Sequence, residues 1–135
     1  MKHFSTSLRP LAATALAAVL AGPAIAAEGN WRVGRIYYRM VCTACHVEAT
    51  GESIAPSTRT KAEWTEYLAA DQHATNGQAN PSLRYYVSQE YRASIKDTNK
   101  AAAKFIDMPN EEMFANLEAF VIRGAQDSDT PAGCQ

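Results

Sequence analysis

Residues 41–46 read Val41-Cys42-Thr43-Ala44-Cys45-His46, which contains C-x-x-C-H. Cysteines three apart lie close together on a single helical turn. Their sulfurs can therefore bond to two carbons along one edge of a flat macrocycle, and the next residue, His46, faces its centre. This is the attachment pattern of c-type haem, with the histidine as the proximal nitrogen on iron. At this composition, chance placement would produce the pattern in roughly one chain in 700.

Two other chemistries use similar residues. A redox-active dithiol shares C-x-x-C but sits in a βαβ pattern, and none surrounds this one. Structural zinc needs four ligands. Beyond the motif only Cys134, His73 and carboxylates remain, without a second paired motif. There is also no second C-x-x-C-H, so the expectation is one haem c per chain, covalently attached through Cys42 and Cys45.

On the N-terminal side, Lys2, His3 and Arg9 form a basic start, and an apolar run follows from Leu11 to Leu20. Gly22 and Pro23 break the run before Ala24-Ile25-Ala26. This layout is that of a secretory signal peptide, residues 1–26, cleaved after Ala26. The uninterrupted run is about half of the ~20 residues a membrane span needs, so no transmembrane anchor is expected. The expected location is the periplasm, an oxidising compartment where thiols can be modified.

The full chain has 135 residues and a mass of 14.7 kDa, room for one compact domain. Its 47% hydrophobic and 20% charged content excludes disorder over most of its length. Loss of Lys2 and Arg9 with the signal peptide leaves 11 basic against 14 acidic residues, a net charge of -3. No basic excess points to nucleic acid.

The pattern is all-α. A helix is expected from about Trp31 into the motif, and another over 60–71. The second opens on Thr60-Lys61-Ala62-Glu63, a capping box, and lines one side with Trp64, Tyr67 and Leu68. The turn formers of 73–82 make a loop. Further helices are expected over 83–95, over 99–107 after Asp97 and Thr98, and over 111–124. In the last, Met113, Leu117, Phe120 and Val121 form an apolar stripe. The domain, 27–124, would thus hold about five helices.

These features together resemble the class I cytochrome c family. Gly34, Tyr38 and Cys42 share one helix face, as a small residue and an aromatic do in that family, and Leu117 and Phe120 match its contact from the last helix. The match covers both ends of the domain and is poor in the middle. The resemblance implies a cytochrome c-like domain wrapped around its haem. It implies that the Pro56 carbonyl holds the other nitrogen of His46. It also implies a distal methionine, for which Met108 stands in the family's order. However, Met108 lies closer to the last helix, and behind more helices, than family members place it. His73 is the rival ligand, and an open iron is the third arrangement. Met40 and Met113 fit less well, one on the attachment helix and one on the apolar stripe.

Residues 125–135 are polar and turn-rich, and a mobile tail is expected there. Cys134 is left over once Cys42 and Cys45 hold haem. It is either a free thiol or an intermolecular disulfide to another chain. The function expected is that of an electron carrier between redox proteins, not an enzyme. The alternatives are the cytochrome subunit of a larger oxidoreductase and a haem sensor or peroxidase-like protein with an open iron.

Overall fold

A computed structural model describes residues 28–73 and 79–133. The segment expected to be a signal peptide and Cys134 lie outside the described residues. Within them the chain is mostly helical and contains no strand.

The N-terminal rod is α1 (Trp31–Tyr37), a π-helical turn (Tyr38–Thr43) and α2 (Ala44–Thr50) in unbroken succession. Asn30 caps its start, accepting from the Arg32 N–H, and Gly51 ends it in the left-handed conformation at φ 74°. The C-x-x-C-H motif therefore lies within a rod that runs on past His46. In the π turn the Ala44 N–H donates to Val41 O, and the Met40 carbonyl accepts from Asn99 Nδ2 at 2.7 Å. A single widened turn of this kind re-aims the side chains that follow it.

After a short 3₁₀ turn (Pro56–Thr58), α3 (Lys61–Ala70) begins at the capping box expected from the sequence. The Thr60 N–H donates to Glu63 Oε2 at 2.7 Å, and the Glu63 N–H returns to Thr60 Oγ1 at 3.3 Å. The helix expected over 83–95 is two: α4 (Leu83–Tyr86) and α5 (Gln89–Ile95). Ser88 breaks it. Its hydroxyl oxygen accepts from the Tyr91 N–H and starts a new helix, while Val87 leaves the helical region at ψ 0°. The helix expected over 99–107 is the shorter α6 (Lys100–Lys104), capped by Asn99. The last is α7 (Asn110–Arg123).

The principal packing is α1 across α7. The helices approach so closely that a Cβ on Gly34 would collide with the Asn116 carbonyl and Phe120 Cβ. The apolar stripe of α7, Met113, Leu117, Phe120 and Val121, is buried there with Tyr37, Tyr38 and Val41 from the rod. Trp64 and Leu68 of α3, Val87, Ala101 and Phe105 complete the core. Arg92 is fully buried, and among the described residues no carboxylate pairs with it. Its guanidinium donates to Phe105 O at 2.8 Å, Met108 O at 2.6 Å and Ser88 O at 3.2 Å, tying α5 to the approach to α7.

The segment expected to be a mobile tail packs back on the domain over residues 125–133. Ala125 is buried, the Gln126 N–H donates to Arg59 O at 2.8 Å, and Asp127 Oδ1 accepts from the Lys61 N–H at 2.8 Å. The Ser57 N–H reaches Ala132 O at 3.1 Å. Its polar residues serve as caps, notably for the start of α3.

Candidate functional site

The rod presents Cys42, Cys45 and His46 on adjacent positions of its second half. Both cysteines are free thiols, Cys42 half-buried and Cys45 exposed. Burial pushes the Cys42 thiol up to about 12. A thiol–disulfide catalyst needs an acidic attacking cysteine, so this environment disfavours that chemistry at Cys42.

Tyrosines gather around the thiols. Burial pushes the Tyr91 hydroxyl up to about 12, with Cys45 and Cys42 adding to the effect. Burial likewise raises Tyr37 and Tyr67, and the field of Cys42 reaches both. Tyr85, Tyr86 and Tyr91 form a mutually packed trio with ring centres 5.0–5.4 Å apart. The Tyr37 hydroxyl donates to Tyr86 O at 2.6 Å and joins the trio to the rod.

Facing His46 is His73, with ring centres 5.6 Å apart and planes 72° from parallel. His73 follows the end of α3, where Asp71 adopts the left-handed conformation at φ 49°. The loop neck is built by hydrogen bonds. Asp71 accepts from the Ser82 hydroxyl and the Arg84 N–H, each at 2.8 Å. The His73 N–H donates to Pro81 O at 2.6 Å. The Asn80 N–H donates to the Tyr86 hydroxyl at 2.7 Å, and the Tyr86 ring lies 5.0 Å from that of His73. Sequence reasoning missed Asp71, and placed Tyr86 only among the aromatics of 83–95 expected to pack the haem pocket and core. The only signal was an acidic residue just after α3 and an aromatic just beyond the loop.

Met108 is placed elsewhere. Its sulfur accepts from Asn116 Nδ2 at 3.4 Å, and Asn116 Oδ1 accepts from the Asn30 N–H at 2.6 Å. Met108 is thus beside the start of the rod. His46 lies 16 residues further along the rod, roughly 24 Å at about 1.5 Å per residue. The structure brings His73, and not Met108, to His46.

Pro56 also has a different partner from the one the resemblance implies. Its carbonyl accepts from Trp64 Nε1 at 2.7 Å, which seats the indole in the core. Pro56 borders a cavity of about 500 Å³, lined also by Arg35, Arg39, Arg123, Trp31 and Phe120. Neither Cys45, His46 nor His73 lines that cavity.

Among the described residues, no group of three or more His, Cys, Asp or Glu is placed to hold a metal ion. The donor set fits a haem by its chemistry: two free thiols on one turn, an adjacent imidazole, a second imidazole across from it and a flank of aromatic rings. Among the described residues, no helix is long and apolar enough to cross a membrane. Comparison of the chain with family models, curated proteins and solved structures found no match.

Proposed function

We propose that this chain is a periplasmic monohaem c-type cytochrome that carries electrons between redox proteins. The observation that supports it most is the pair of free thiols at Cys42 and Cys45 on one helical turn, followed by His46 and faced by a second imidazole. Cys42 and Cys45 would hold the haem through thioethers, and His46 would hold the iron. Bound haem supplies a one-electron couple, the iron passing between ferric and ferrous.

The chain's own part is to orient and to insulate. The rod fixes both thiols and His46 on one scaffold, so the groups that would hold the haem keep their places relative to one another. Tyr37, Tyr67 and Tyr91 shield the Cys42 side of the site, and a drier site alters the potential. The net charge of -3 for residues 27–135 gives only weak long-range steering, so partners would meet a local patch.

The test is export of the protein from a host that attaches haem c, followed by mass measurement after acid acetone extraction. The expected mass is that of the cleaved chain plus one haem, with reversible oxidation and reduction of the bound group. The mass of the bare chain overturns the proposal.

A further inference from the structure

We propose that His73 supplies the second axial nitrogen opposite His46, so that the iron is held by two imidazoles and Met108 is a core residue. This rests on the haem reading above and specifies its ligand set. Two imidazoles bound to opposite sides of one metal at about 2 Å per bond bring their ring centres to roughly 6 Å. The separation between His46 and His73 is 5.6 Å. The two residues are 27 apart in sequence and come from different elements, so this approach is a product of the fold.

The Asp71 carboxylate clasps Ser82 and Arg84, and the His73 backbone N–H is bound to Pro81 O, which ties the two ends of the loop together. Tyr86 packs against the His73 ring, and its own backbone carbonyl is tied to Tyr37 of the rod. A ligand held this way is oriented before the metal arrives, as ligating histidines are by their outer partners. Met108 is committed at three atoms: its sulfur to Asn116, its carbonyl to Arg92 and its N–H to Phe105 O. Moving it to His46 would break all three and carry it the length of the rod.

The functional consequence is a lower potential than a methionine ligand would give, because a Met/His pair raises it. With both faces occupied, the reduced protein would also lack an open position for small ligands.

The experiment uses the full exported holoprotein. The oxidised wild type should be low-spin, without a thioether-to-iron absorption band, and Met108→Leu should leave its spectrum and potential unchanged. His73→Ala should turn the iron high-spin and let the reduced protein bind carbon monoxide. His73→Met should raise the potential. A thioether band in the wild type that Met108→Leu abolishes overturns the proposal, as does a His73→Ala spectrum identical to wild type. The wild-type spectrum decides even where a variant folds poorly. Failure of covalent haem attachment would sink the haem reading itself. Haem attached but indifferent to His73 would sink only this assignment.

Discussion

Replacing Arg92 with methionine keeps much of its apolar stem and removes every donor. The cost can be worked from its acceptors. Ser88 O keeps the Arg92 backbone N–H at 3.0 Å, and Phe105 O keeps the Met108 N–H at 3.1 Å. Met108 O loses the 2.6 Å bond that holds it. One carbonyl stripped of a charged donor costs about 1–3 kcal/mol, and loss of the second bond at Phe105 O adds about 1 kcal/mol. Against this stands the relief of a desolvated cation, since burial lowers the Arg92 pKa. That relief trims the total without reversing it, because no methionine atom can donate to the vacated carbonyl. The expected loss is about 2–4 kcal/mol, a fall in Tm of roughly 10–15 °C. Urea unfolding of the purified protein, followed by far-ultraviolet circular dichroism, measures it. An Arg92→Met protein within about 0.5 kcal/mol of the parent would refute the idea that this buried guanidinium braces α5 against α7.

Gly34→Ala drives a methyl group into the Asn116 carbonyl, so α1 and α7 must separate. It should destabilise by about 1–3 kcal/mol, read from the same urea curves, and an unchanged midpoint would mean the crossing is looser than described. Asp71→Ala frees Ser82 and the Arg84 N–H at the neck. Its stability should drop by about 1 kcal/mol, as for a lost cap, and the oxidised holoprotein should gain a high-spin fraction by magnetic resonance. Glu63 has its carboxyl held below the ordinary value of 4.5, first by the Thr60 N–H and then by the Thr60 hydroxyl. A depressed folded pKa contributes stability above the unfolded pKa that fades as pH falls through the folded one. Glu63→Gln should therefore melt below wild type at pH 7, with the gap narrowing towards pH 3. A gap that stayed constant across that range would show that the carboxylate charge plays no part in the cap.

The distribution of legible and illegible features follows the range of the forces involved. The C-x-x-C-H turn, the Thr60–Glu63 capping box and the stripe of α7 were all readable as spacing. Each is built from residues within one or two turns of each other, where backbone geometry alone sets who is adjacent. The close approach at Gly34 was readable too, because a missing side chain on a helix face has few uses other than letting a second backbone in. The break at Ser88 is intermediate: serine is a good cap, but a helix can run through it, and only the packing of Val87 into the core settles the bend.

The partner of His46 was not readable. Met108 and His73 both lie in loops after helices, and spacing cannot say at which end of the N-terminal rod each arrives. That depends on how α7 crosses α1, which sets Met108 on Asn116 near Asn30, and on how the Asp71 neck closes, which carries His73 to His46. The same holds for Pro56, whose carbonyl goes to the Trp64 indole, and for residues 125–133, whose polar side chains look like a solvated tail until Asp127 is seen capping α3. Local periodicity specifies helices and the thiol pair. The encounters between residues tens of positions apart are specified by the closing of loops and the crossing of helices, and only the folded chain displays them.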